Sequence, residues 1–66
     1  MLRKIDAKKL FIMLARRQMS AAELQAAARI TANTMKRIAD GGGVQAVTAG
    51  KIADALEIDV TEILMN

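Results

Sequence analysis

The sequence has no cysteine, histidine or proline, and these absences narrow what the protein can be. Without cysteine and histidine it can form neither disulfides nor the usual zinc sites, so its stability must come from the packing of apolar side chains. It also lacks the nucleophile–base pairs of the common catalytic triads. We therefore expect a protein that is not an enzyme and that uses no metal ion and no cofactor.

Long apolar segments are missing as well. The longest uninterrupted apolar run, residues 10–15, is far shorter than the roughly 20 residues that cross a bilayer. Basic residues precede this run, but Lys8 and Lys9 interrupt the apolar character and no small-residue cleavage site follows, so a signal peptide is not predicted. We expect a cytoplasmic protein without a membrane partner.

Alanine and other aliphatic residues dominate the amino-acid composition. Apolar residues make up 53% of the 66 residues, which is too much for a disordered tail. Alanine is the best helix former, and nothing in the composition favours strands. The length suits a single small domain over residues 1–66, of the size that buries about 60% of its unfolded surface. The composition predicts an all-α domain.

Charge is distributed unevenly along the chain. The net charge is +3, but residues 1–39 carry nine basic against two acidic residues (+7), whereas residues 40–66 carry one basic against five acidic residues (−4). Such a dipole suits a protein that presents one side to a polyanion. Charge alone does not distinguish nucleic-acid binding from a chance distribution on a small domain.

Capping signals and apolar periodicity predict five helices. Asp6 and Thr31 are good N-caps, and Ser20 with Glu23 forms a capping box. Three glycines, Gly41 to Gly43, end the third helix, because glycine adopts positive φ without a steric penalty. The predicted helices cover about residues 6–17, 21–28, 32–39 and 46–56, with a short fifth helix opened by Asp59.

The short link between the second and third predicted helices determines how these helices cross. Only Arg29 and Ile30 separate the last turn of one helix from the N-cap of the next, so the two helices must cross steeply. This is the geometry of a helix-turn-helix, here over about residues 20–40. The predicted core residues are Ala7, Leu10, Met13, Leu14, Leu24, Ala28, Ile30, Met35, Ile38, Ala49, Ile52, Ala53, Leu56, Val60, Ile63 and Leu64.

The outer face of the third helix carries side chains that can contact DNA. Asn33 can pair with adenine, and Lys36 or Arg37 with guanine, in the major groove. Cap hydroxyls can bind phosphates, and glycines let a phosphate approach the backbone. An ordinary solvated helix face is the alternative. We favour DNA contact because the face lies on the second helix of a tight pair in the basic half. The candidate DNA-binding residues are Ser20, Thr31, Ala32, Asn33, Lys36, Arg37, Gly42 and Gly43.

Residues 6–64 resemble the lambda-repressor/Cro-like (Xre-like) helix-turn-helix family. The resemblance implies a compact five-helix domain whose third helix enters the major groove. It also implies a sequence-specific regulator of transcription, expected to be a repressor, which binds double-stranded DNA as a homodimer. The matching segments are Met19–Leu24, Ala28, Ile30–Ile38, Gly41 and, outside the two-helix motif, Lys51–Leu56 and Asp59–Leu64.

Three positions differ from the residue that the family commonly has there. Ala21 stands where a DNA-contacting glutamine is common, and Gln25 stands where a small residue is preferred. Arg29 occupies the turn position where the family prefers glycine. If this turn keeps a left-handed backbone, an arginine there costs about 1–2 kcal/mol.

A second class of function stays open, namely a protein-interaction module such as the antitoxin of a toxin–antitoxin pair, in which DNA binding is secondary or absent. Ile12 favours it, because on the first helix it lies opposite Leu10 and between Lys8 and Arg16. A single exposed isoleucine is also common on surfaces with no function.

For the homodimer, the acidic C-terminal region is the expected contact surface, because it points away from the basic side. The residues predicted for this surface are Leu56, Ile58, Val60 and Met65.

Overall fold

The computed structural model of the chain describes residues 2–65. None of its helices, within this range, is long and apolar enough to cross a membrane. The predicted bounds of the second and third helices are confirmed, and those of the first and fourth differ by one residue at the ends. In chain order the elements are β1 (Leu2–Lys4), α1 (Ala7–Arg16), α2 (Ala21–Ala28), α3 (Ala32–Ala39), β2 (Gly43–Gln45) and α4 (Ala46–Ala55), followed by a 3₁₀ turn (Val60–Glu62).

The expected fifth helix is wrong, because the chain forms only a single 3₁₀ turn there. Asp59 caps this turn, as the sequence predicts, and a capping box joins it to Glu62. The chain then leaves the helical path, since Leu64 forms an antiparallel bridge with Ile5. The cap was therefore recognisable from the sequence, but the length of the element was not.

The expectation of an all-α domain is also wrong in detail, because two short strands pair antiparallel. β1 is held on its other side by the C-terminal segment: the amide of Asp6 donates to the carbonyl of Ile63 (2.7 Å), and that of Met65 to the carbonyl of Lys4 (2.9 Å). β1 thus lies between β2 and the C-terminal residues. The β1–β2 register pairs Leu2 with Gln45, Arg3 with Val44 and Lys4 with Gly43.

One apolar cluster joins the four helices and β2 to Ile5, which follows β1, and to Ile63, which follows the 3₁₀ turn. Most predicted core positions are confirmed, although five of them are only partly buried: Ala7, Met13, Ile30, Val60 and Leu64. Leu56 is fully buried, so its assignment to a dimer surface is wrong. The buried residues are Ile5, Leu10, Leu14, Leu24, Ala28, Met35, Ile38, Val44, Ala49, Ile52, Ala53, Leu56 and Ile63.

Candidate nucleic-acid interface

The turn between α2 and α3 fixes how the two helices cross. Arg29 ends α2 with a left-handed backbone (φ 57°, ψ 47°), and its amide donates to the carbonyl of Gln25. The amide of Ile30 donates to the same carbonyl at 3.1 Å. The left-handed geometry is thus present although the residue is not glycine, at a cost of about 1–2 kcal/mol. The short turn leads directly to Thr31, the N-cap of α3.

The N-terminus of α2 is closed by the predicted capping box. The hydroxyl of Ser20 accepts from the amide of Glu23 (3.1 Å), and the carboxylate of Glu23 accepts from the amide of Ser20 (2.9 Å). The backbone amide of Ser20, together with its hydroxyl, holds the pKa of the Glu23 carboxyl below its ordinary value. Ser20 is exposed, and a hydroxyl that accepts one hydrogen bond still has a proton to donate.

The N-terminus of α3 is capped in a similar way. The hydroxyl of Thr31 accepts from the amide of Thr34 (3.1 Å), and the two hydroxyl oxygens lie 3.0 Å apart. Thr31 is exposed, as is Ala32 beside it. Both helices therefore present an exposed hydroxyl at the end where the helix dipole attracts anions.

The outer face of α3 carries an amide, an ammonium and a guanidinium group in one strip. Asn33, Lys36 and Arg37 are all exposed, whereas Met35 and Ile38 are buried on the opposite side. The predicted outward placement of the three polar side chains is confirmed. They line a shallow concave surface, whose residues are Asn33, Lys36, Arg37, Asp40 and Gly42.

The turn that ends α3 packs against the side chain of Arg37. Gly41 has a φ of +87°, its amide donates to Ile38, and the amide of Gly42 donates to the carbonyl of Arg37 at 2.8 Å. This is a Schellman motif. A Cβ on Gly42 would lie 2.6 Å from Cγ of Arg37, so the arginine stem packs directly against the glycine. The amide of Gly42 is thus already used within the protein, and the packing against Arg37 was not predictable from the spacing.

Gly43, the other glycine among the candidate residues, belongs to β2. It pairs with Lys4, and a Cβ built on it would lie 3.0 Å from Cβ of Leu2. The structure therefore brings the N-terminal strand against the turn that follows α3. This contact did not follow from the sequence pattern, which predicted no strand on either side.

The cations of α3 have no acidic partner within ion-pair distance in the described part of the chain. The ion pair found in residues 2–65 joins Arg17 to Glu57 at 4.0 Å, with both side chains substantially exposed. Exposed pairs of this kind contribute little stability. The positive charge of Lys36 and Arg37 therefore remains available to an outside anion. No group of three or more possible metal ligands occurs among these residues.

With this geometry in place, comparison with known proteins identifies the class. A family model for the Cro/C1-type HTH DNA-binding domain matches residues 9–65. The match covers most of the chain, so the protein belongs to this family, and the resemblance inferred from the sequence is confirmed. No curated protein matches the chain in sequence.

A solved structure supports the same fold. The crystal structure of the transcriptional regulator VanUg superimposes with a TM-score of 0.84, covering 98% of this chain and 87% of that chain. The two sequences are 22% identical, so the likeness concerns the fold alone.

Proposed function

We propose that the protein is a transcriptional regulator that binds double-stranded DNA at specific sequences, with α3 in the major groove. The observation that carries this proposal is the exposed strip of Asn33, Lys36 and Arg37 on the second helix of the motif. These are the side-chain types that pair with adenine and guanine edges. Ala32, exposed at the start of α3, suits contact with a thymine methyl group.

The caps of the two helices are proposed to position the protein on the DNA backbone. Ser20 and Thr31 expose their hydroxyls at helix N-termini, where phosphate oxygens are favoured. Gly42 and Gly43 lack side chains, so a DNA strand can pass close to the turn after α3. Contacts of this kind fix the orientation of the protein and carry no sequence information by themselves.

A homodimer is proposed to read the complete site, because one recognition helix contacts only a few base pairs. A groove of about 400 Å³ lies between β2, the start of α4 and the C-terminal segment, and a second copy would cover it. Val47 on its rim is 70% exposed, and Met65 is 57% exposed. The groove residues are Arg3, Gln45, Ala46, Val47, Ala49, Val60 and Leu64.

Repression in the cytoplasm is the proposed mode of action. A small DNA-bound protein acts most simply by occupying a site that the transcription machinery needs.

The experiment is selection of bound sequences from random DNA, followed by affinity measurements at two salt concentrations. A specific binder enriches one sequence, and a homodimer enriches a palindrome with half-sites about one helical turn apart. Affinity should fall steeply with salt, because each phosphate contact releases counterions. Recovery of no enriched sequence would contradict the proposal.

A protein-interaction module is the second candidate, and a patch on α1 favours it. Phe11 and Ile12 are 41% and 45% exposed, between the cations Lys8 and Arg16. Such a surface suits an apolar partner with acidic groups. Under this alternative, Ile12→Glu abolishes partner binding, and the outer face of α3 contributes nothing to DNA affinity.

A further inference from the structure

The N-terminal strand has an inner and an outer face. Successive residues of a strand point to opposite sides, so Arg3 and Ile5 share one face and Leu2 and Lys4 share the other. Ile5 is 2% exposed, and Val44, opposite Arg3, is 4% exposed. All three residues of β1 are exposed, and the alternation places Lys4, together with Leu2, on the outer face, opposite the buried Ile5.

The outer face is continuous with the DNA-reading end of α3. Lys4 lies opposite Gly43, and the preceding Gly42 packs against the stem of Arg37. A short path therefore leads from Arg37 across two glycines to Lys4. Backbone hydrogen bonds hold β1 on both sides, including the one from Met65 to the carbonyl of Lys4, so the lysine is attached to a fixed element.

The turn after α3 supplies no positive charge of its own. Residues 38–50 contain no lysine or arginine, and Asp40 adds a negative charge. A DNA strand that leaves Arg37 along this turn would meet no cation from that stretch of chain. Lys4 is the residue that the fold adds at this position from a distant part of the sequence.

We propose that Lys4 binds a DNA backbone phosphate beside the base pairs contacted by Arg37, which makes the outer face of β1 part of the DNA interface. The proposal rests on the proposed function. In this contact the compact positive charge of the lysine ammonium group attracts a phosphate oxygen. Such a contact positions the protein on the DNA without reading a base.

The test measures the affinity of Lys4→Gln for the selected site and for random DNA over a series of salt concentrations. Loss of one phosphate contact should lower affinity for both DNAs about five- to tenfold near 0.1 M salt and reduce the salt slope by about one. The preference for the selected site should stay unchanged. Lys4→Arg keeps the charge and should retain nearly the full affinity.

Lys51→Gln on α4 is the matched control, since it removes the same charge from an exposed position on another element. It should change affinity less than twofold. Equal effects of Lys4→Gln and Lys51→Gln, in proteins with the same melting temperature, would overturn the role of Lys4 and leave the proposed function intact. Failure of the wild-type protein to prefer any DNA sequence would overturn the proposed function itself.

Discussion

Among single residues, Arg29 shows most directly how a side chain can conflict with the backbone conformation of its position. It closes α2 with positive φ, as Gln18 and Glu57 do after α1 and α4. Only glycine adopts this conformation without a steric penalty. Arg29 therefore retains a backbone strain that glycine at the same position would not have.

We predict that Arg29→Gly stabilises the protein by about 1 kcal/mol, because it relieves the left-handed strain. For a domain of this size the melting temperature should rise by about 4–8 °C, as measured by circular dichroism. Arg29→Ala is the control, since alanine keeps a Cβ and hence the strain. Equal melting temperatures for the glycine and alanine variants would show that the turn is not strained.

Ile38 tests the core assignment on α3. It is fully buried, one position from the exposed Arg37. Truncation to alanine should cost about 2–5 kcal/mol, a large part of the stability of so small a domain. Urea denaturation measures this cost, and Lys36→Ala on the exposed face serves as the control. A midpoint that matches the control would place Ile38 outside the core.

At the level of elements, the capping box of α2 makes stability depend on pH. The pKa of the Glu23 carboxyl is lowered in the folded protein, because the Ser20 amide donates a hydrogen bond to the carboxylate. The Ser20 hydroxyl stabilises the charged form further. A group with a depressed folded pKa stabilises the fold at pH values above its unfolded pKa. This contribution is lost as the pH falls through the folded pKa.

We therefore predict that the urea midpoint falls as the pH is lowered below about 4.3, the ordinary value for glutamate. In Glu23→Gln this fall should be smaller, since the titrating carboxyl of the box is gone. Asp59, whose pKa is lowered by hydrogen bonds from Thr61, contributes in the same direction and remains in the variant. Identical pH profiles for variant and wild type would exclude a role for Glu23.

The helices could be predicted from the sequence because their end signals are local. Asp6, Ser20 and Thr31 each cap a helix within three residues of the amide they bind, so short-range patterns suffice. The strands could not be predicted, because each has three residues and is defined by its pairing with a distant one. Ile5 and Val44 enter the core for the same non-local reason.

The candidate site also has one part that the sequence predicts and another part that depends on the tertiary structure. Helical periodicity is enough to place Asn33, Lys36 and Arg37 on the outer face of α3. The packing of Gly42 against Arg37 and the position of Lys4 depend on the turn and on the strand pair. The sequence thus predicted the exposed polar strip on α3, whereas the tertiary structure is needed to define the surface around it.

For the whole molecule, the groove between β2 and the C-terminal segment is the surface on which the proposed homodimer depends. Val47→Glu should prevent assembly, because it places a charge on an apolar rim that a second copy would bury. The monomer should still fold, since Val47 is 70% exposed. Sedimentation of the protein–DNA complex should change from two proteins per site to one.

Ile12→Glu is the control for this dimer prediction, as it adds the same charge to an apolar position on α1. It should leave two proteins on each site. If Ile12→Glu separates the dimer and Val47→Glu does not, the interface lies on α1.

The central claim is that α3 reads base pairs, and Arg37→Ala tests it most directly. The measurement is the ratio of the affinities for the selected site and for random DNA. We predict that affinity for the selected site falls by about 1–3 kcal/mol, roughly 5- to 150-fold, while affinity for random DNA changes far less. An equal loss on both DNAs would place Arg37 on the backbone, and no loss on either would contradict DNA reading by α3.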